Sequence, residues 1–243
     1  MNNISPAAHD DLESTLKWLQ CEYEEDGEGF WANQNIITKA YEDHELFVLK
    51  VDGLSVAALV GGDTGIDILT VKKEYRGTGL GKQLAQFAIE KIRSNDICVI
   101  TIRCAPTTSA PFWEQLGFKR NYCSDEKYIT ASLVLEHKHD LPSGAKKEDV
   151  VVKMYSEHAL RNPEANPLKE WKVNSIRSED GRLILEKRIV FFHAGRQHDS
   201  DLVAEIIVNG KTLIRDKVKY DEMSNFGMDQ ADCGTYYLAQ TIQ

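Results

Sequence analysis

The residues whose types and spacing could do chemistry lie in one run, Ile68-Leu69-Thr70-Val71-Lys72-Lys73-Glu74-Tyr75-Arg76-Gly77-Thr78-Gly79-Leu80-Gly81-Lys82. An apolar strand runs into a Gly-rich turn, and the turn opens a helix. Such a turn leaves several backbone N–H groups pointing at one spot, at the positive end of the helix dipole. That is a site for a diphosphate. Glycines at 77, 79 and 81 let the backbone approach the phosphates with no Cβ in the way. Arg76 and Lys82 add positive charge.

Spacing separates the motifs that use this device. A dinucleotide fingerprint needs G-x-G-x-x-G, and here its third glycine falls on Lys82 or Leu84. A nucleotide P-loop needs G-x-x-x-x-G-K-[ST]; its first glycine falls on Arg76, and Gln83 stands where Ser or Thr belongs. The run Arg76-Gly77-Thr78-Gly79-Leu80-Gly81, after an apolar strand, resembles motif A of the GNAT acetyltransferase superfamily. About 30 residues on, Ala110-Pro111-Phe112-Trp113-Glu114-Gln115-Leu116-Gly117-Phe118 resembles that family's second conserved block. The resemblance covers residues 5–135.

For that region the resemblance implies an α/β (α+β) GNAT fold, a mixed and mostly antiparallel sheet flanked by helices. It implies acetyl-CoA as the cofactor and an acyltransferase acting on an amine. The main chain of Leu69, Thr70 and Val71 would hold pantetheine, and the Val71 N–H would polarise the thioester carbonyl. Arg76, Gly77, Thr78, Gly79, Leu80, Gly81 and Lys82 would hold the diphosphate, with Thr108, Phe112 and Trp113 flanking the cofactor. The amine must lose a proton, and Asp67 is the candidate base, since strand alternation puts it on the face of Leu69 and Val71. A surface Asp at a strand start is the competing reading. As an alternative to Asp67, Glu24, Glu25 and Glu28 would supply charge to the acceptor pocket, which the first loop often walls in this family, with Trp31 a further substrate-binding candidate. Where many members have a Tyr to protonate the leaving thiolate, this sequence has Trp113, and indole is no useful acid. Tyr122, Tyr128 or a water would then serve, or the thiolate leaves unassisted, or the chain binds CoA without catalysis. No metal is expected. Cys104 reads as a small buried residue, with proximity to the acetyl group as the alternative.

The elements that must position these groups follow from periodicity. Leu12, Leu16, Leu19 and Tyr23 predict a helix over 10–23, followed by an acidic loop over 24–29 and a short helix near 36–41. Residues 45–51 and 54–61 form a hairpin about Asp52-Gly53, a type I′ turn signal. A strand over 67–71, a helix over 79–93, an apolar strand over 97–102, a helix over 109–116 and a strand over 128–135 complete the first domain, residues 1–137. The polar stretch 136–147 reads as the boundary. Beyond it, in a second domain over 145–243, strands at 150–155, 171–177, 182–193, 202–208, 211–220 and 234–241 predict an antiparallel meander curling into a small barrel or sandwich. No family is recognised there. Trp171, Tyr236 and Tyr237 read as exposed, which points to dimerisation or substrate shaping.

Composition limits the partners. The 243 residues carry a net charge of −9, and residues 1–140 hold 14 Lys+Arg against 22 Asp+Glu. An acidic chain is a poor polyanion binder, so nucleic acid is not expected and a small cationic amine is. A merely solvated acidic surface is the bland alternative. No apolar run is long enough to span a bilayer, and the start shows no signal peptide. Five cysteines without a CxxC suggest reduced thiols and a cytoplasmic protein. The rival functions are a protein or aminoacyl-tRNA acetyltransferase and a CoA-binding sensor.

Overall fold

The computed structural model describes residues 3–122, 128–141, 147–195, 201–231 and 234–241. The chain divides into two compact units, one of residues 1–96 and 100–117, the other of residues 97–99 and 118–243. Mixed α/β structure precedes a mostly antiparallel β portion, as the sequence predicts.

The first unit contains β1 (Asn3–Pro6), α1 (His9–Asp26), α2 (Gln34–Glu42), β2 (Leu46–Val51), β3 (Leu54–Gly61), β4 (Ile66–Val71), α3 (Leu80–Ser94), β5 (Val99–Cys104, its first residue in the other unit) and α4 (Ala110–Gln115). The strands β1-β2-β3-β4 form one antiparallel sheet in sequence order. Asp52 and Gly53 both take positive φ, 49° and 82°, as a type I′ turn requires. A second bend sets the entry to β4. Gly61 and Gly62 have φ of 100° and 119°, and the Gly62 N–H donates to the Gly65 carbonyl at 2.8 Å. A Cβ on Gly61 would sit 2.6 Å from that same oxygen, so only glycine fits.

The helices cover the sheet as their apolar stripes dictate. Leu12, Trp18 and Leu19 of α1 pack with Ile37 and Ala40 of α2 against Leu46, Ala58, Val60 and Ile68. On α3, Leu80, Leu84, Ala85, Ala88, Ile89 and Ile92 are buried. Phe87 is half-buried and tilts against Phe47 at 5.3 Å. One boundary differs from expectation. α1 continues through Glu24, Glu25 and Asp26 and stops at Gly27, whose left-handed φ of 70° ends the helix. The acidic residues therefore begin as a helix face, not as a loop.

The second unit holds β6 (Lys119–Arg120), β7 (Ile129–Val134), β8 (Lys147–Tyr155), β9 (Lys169–Arg177), β10 (Leu183–Phe191), β11 (Val203–Val208), β12 (Lys211–Lys217), α5 (Asp221–Asn225), β13 (Met228–Gln230) and β14 (Tyr236–Thr241). β6 pairs with β7. The last seven strands make one curled antiparallel sheet, a half-barrel, in the order β12-β11-β8-β9-β10-β14-β13. It is a single sheet and not a sandwich. It is also not a plain meander, because β11 returns to the free side of β8. Its core gathers Val150, Val152, Met154, Leu183, Leu185, Ile189, Phe191, Ile206 and Leu238.

Residues expected to be exposed here are engaged. Trp171 meets Phe191 edge-on at 5.9 Å, and Arg188 lies 4.1 Å over the Tyr237 ring. Tyr236 packs against the core. Within the expected linker, the His139 N–H donates to the Glu186 carbonyl, and His137 Nε2 lies 2.8 Å from the Ile97 carbonyl. Buried Glu148 accepts both Nε and Nη2 of Arg177 at 2.9 Å and Nδ2 of Asn209 at 3.0 Å, which ties β8 to β9 and to the Asn209-Gly210 turn. No helix among the described residues is long and apolar enough to cross a membrane.

The buried Tyr155 hydroxyl donates to Glu205 at 2.6 Å. Burial first, then that bond, push its pKa up to about 12 from 10.0. The folded state thus holds the phenolic proton more tightly than the unfolded chain. Its stabilising effect is complete below pH ~10 and fades as pH rises toward about 12. Tyr155→Phe is expected to lower stability at pH 8 by about 1–2 kcal/mol. The same variant flattens the fall in unfolding free energy between pH 10 and 12, as read by urea titration at fixed pH.

Candidate active site

The chemistry-bearing run takes the expected shape: β4, a turn of one 3-10 helix over Lys73–Tyr75, then Gly77, Thr78 and Gly79 leading into α3. Gly77 and Gly79 adopt φ of 78° and 88°, and no atom lies within 4 Å of a Cβ built on either. Gly79 caps α3 in a left-handed conformation. The first-turn N–H groups, of Leu80, Gly81 and Lys82, have no intrahelical carbonyl to meet. Gly81 is spare for another reason: its Cβ would touch Val71 at 3.4 Å and Phe112 at 3.6 Å.

β4 is the last strand of its sheet. The Lys72 N–H donates to the Val56 carbonyl at 2.9 Å, and Val71 stands opposite Ala57. In an antiparallel ladder, bonded and non-bonded pairs alternate. Thr70 therefore bonds inward to Ala58. The N–H and C=O groups of Leu69 and Val71 face away from β3, off the sheet edge. The Val71 carbonyl accepts from Arg76 Nε at 2.8 Å.

These groups line one cleft of about 570 Å³, together with Leu19, Glu22, Asp26, Glu28, Gly29 and Phe30 from the α1 end, Thr70, Tyr75, and Ala105, Pro106, Thr108, Ser109, Phe112 and Gln115 from the α4 side. Arg76, Gly77, Gly79, Gly81 and Lys82 all reach it. Lys82 makes no ion pair among the described residues, which leaves its charge for an anion. Glu22 joins the two sides: its carboxylate accepts the Lys73 N–H at 2.6 Å and Arg76 Nη2 at 2.5 Å. Lys73 Nζ in turn bonds Asp26 at 2.7 Å, and that bond holds its pKa above the usual lysine value. A second cleft of about 520 Å³ shares Glu22 and Tyr75 and is lined by Trp18, Cys21, Glu25, Ser55 and Lys72.

Several expected residues lie elsewhere. Asp67 shares its strand face with Leu69 and Val71, is exposed, and is not among the residues lining the cleft. Trp113 is buried and stacks edge-on against Phe112 at 4.9 Å, so Phe112 and not the indole meets the cleft. Leu80 is likewise buried, and the Thr78 hydroxyl donates to the Tyr75 carbonyl at 2.6 Å. Trp31 packs into the core beside α1. Glu24 accepts from Gln20, and Glu25 lines the second cleft. Tyr122 and Tyr128 are exposed residues of the second unit. Reading the residues alone missed Leu19, Glu22 and Asp26. Their spacing of three and four marks one helix face, visible once the helix is allowed to reach Gly27.

A family model described as an acetyltransferase (GNAT) domain matches residues 22–130. The chain carries a GNAT acetyltransferase domain. Solved structures similar to the chain include a GNAT-family acetyltransferase from Listeria monocytogenes, at 15% identity and a TM-score of 0.46, covering 55% of this chain and 95% of that one. A PaiA N-acetyltransferase from Thermoplasma acidophilum, in complex with coenzyme A, is 14% identical, with a TM-score of 0.44 and coverage of 56% and 99%. A polyamine N-acetyltransferase from Drosophila melanogaster is 15% identical, with a TM-score of 0.45 and coverage of 56% and 100%. Within the matched stretch, Arg76, Gly77, Gly79, Gly81, Phe112 and Gln115 of the two motif blocks line the cleft.

Gly79 offers a direct check. Alanine at its φ of 88° meets no neighbour, so the cost is backbone strain alone. Gly79→Ala is expected to lower unfolding free energy by about 1–2 kcal/mol in a urea titration.

Proposed function

We propose that this protein transfers an acetyl group from acetyl-CoA to a primary amine on a small cationic molecule. One observation carries the reading. The outward-facing main chain of Leu69 and Val71, the open glycines 77 and 79 and the N-terminus of α3 all line one cleft. An extended amide chain ending in a diphosphate matches that order of donors: strand edge first, helix N-terminus second.

When bound, acetyl-CoA supplies an acyl group activated as a thioester. The chain's own residues do the rest. The N–H groups of Leu69, Gly81 and Lys82, the turn amides and the Lys82 and Arg76 side chains bind and orient. The Val71 N–H, facing off the sheet edge, is a donor for a carbonyl oxygen. Glu28 lines the cleft, is exposed and has no ion-pair partner among the described residues, so it offers an ammonium group its one uncompensated carboxylate. Glu22 and Asp26 are already engaged with Arg76 and Lys73. Asp67, at the start of the same strand face, removes the amine proton through water. The departing thiolate takes its proton from water.

In this reading residues 1–137 are the acyltransferase domain. Residues 145–243 shape the acceptor or pair two copies, through the free edges of β12 and β13. The exposed free thiol of Cys21 and the absence of any CxxC pair in the sequence support a reducing, cytoplasmic setting. A second reading, a CoA-binding sensor, is favoured by Trp113, which stands in place of the family's tyrosine and lies buried.

Thiol release from acetyl-CoA over a panel of polyamines, aminoglycosides, amino acids and peptides tests the proposal. Release with one amine class is expected. CoA binding without release over the whole panel supports the sensor instead. With the active amine, Asp67→Asn is expected to lower kcat by about 100-fold near pH 7. The deficit shrinks toward pH 10, where the amine loses its proton unaided. An equal loss at every pH removes Asp67 from the role of base.

A further inference from the structure

Glu22 stands outside both motifs, yet it touches the residue that opens the first. Its side chain is only 13% exposed, against 53% for Arg76. One carboxylate oxygen takes the Lys73 N–H at 2.6 Å and the other takes Arg76 Nη2 at 2.5 Å. Arg76 Nε is committed to the Val71 carbonyl at 2.8 Å. The guanidinium is thus held on two sides, by α1 and by the end of β4. Its Nη1 has no partner among the described residues, and Arg76 lines the cleft.

We infer that Glu22 is a positioning residue for the diphosphate site, acting through Arg76 and through the Lys73 amide to fix the turn that presents the Gly77–Lys82 donors. The inference rests on the acetyl-CoA reading above. Two physical effects of this carboxylate oppose each other, and their signs differ. As a negative charge beside a diphosphate, Glu22 weakens binding by Coulomb repulsion. As an anchor, it keeps a long arginine side chain from spending its rotamer freedom elsewhere, and it strengthens binding. Both oxygens are engaged at short range, and the Glu22 charge is matched by that of Arg76, so anchoring dominates.

The test is calorimetric binding of CoA, with no turnover needed. Glu22→Gln keeps the volume and removes the charge; it is expected to raise the Kd for CoA about tenfold. In an Arg76→Ala background the same change is expected to alter Kd by less than about threefold, since the glutamine oxygen still accepts the Lys73 N–H and the arginine that the charge acts through is gone. A merely structural role would give the same loss in both backgrounds and overturns the inference. So does unchanged or tighter binding by Glu22→Gln, which marks the residue as a simple repulsive charge. If Glu22→Gln does not fold, Glu22→Asp keeps the charge and shortens the reach. Weaker CoA binding then supports the anchor, and unchanged binding refutes it. Absence of CoA binding by the unaltered protein would instead remove the acetyl-CoA reading itself.

Discussion

Every backbone donor near the cleft must either find a carbonyl or be left facing space, and the fold depends on where it leaves them. β4 is bonded on one side only. The Lys72–Val56 bond fixes which of its residues look inward, and Leu69 and Val71 look out. α3 begins a few residues later, with its own first-turn donors unmet. A sheet edge and a helix start, joined by a turn of glycines in left-handed conformation, leave a line of N–H groups along one wall. An unpaired edge is ordinarily a liability, prone to pair with another chain. Here the same unpaired groups line a cleft and not an open face.

The sequence was informative where local chemistry decides the outcome. Asp52-Gly53, the glycines at 77 and 79, the stripe on α3 and the alternation along β8 to β12 each specify their own conformation over a few residues. The recognition block around Phe112 was legible too, but the partition within it was not. Phe112 and Gln115 meet the cleft while Trp113 turns inward. That outcome depends on how α4 is rotated against its neighbours, and residues 110–115 alone are too short to show a face. The acidic stretch after Leu19 misled for a related reason. Runs of Glu and Asp read as loop, yet these residues extend α1 until Gly27 stops it. Only with that extra turn does Asp26 join Leu19 and Glu22 on the face that lines the cleft.

In the second unit, pattern gave the strands and their turns but not their order. The short α5 and β13 lie in residues 221–230, a stretch without strong periodicity. The return of β11 to β8 is a long-range pairing that no local signal encodes. What holds that region is also non-local: Glu148, Arg177 and Asn209 come from three separate segments and close around one buried carboxylate. A buried charge is tolerated only when its oxygens are met in this way.

The bend at Gly61–Gly65 carries a consequence for the lineage of this domain. It lies on the surface, where loops usually accept insertions and deletions freely. Yet it counts residues into β4. Gaining or losing one residue there would advance the strand by a single step and swap its two sides. Thr70 and Lys72 would then present their amides to the cleft, and Leu69 and Val71 would turn theirs back into the sheet. The phase of the strand is thus written in the length of a bend that is no part of the cleft lining. Variation at that bend is expected to come as substitutions of residues 63 and 64, or as changes of two residues at once, and not as single-residue gaps.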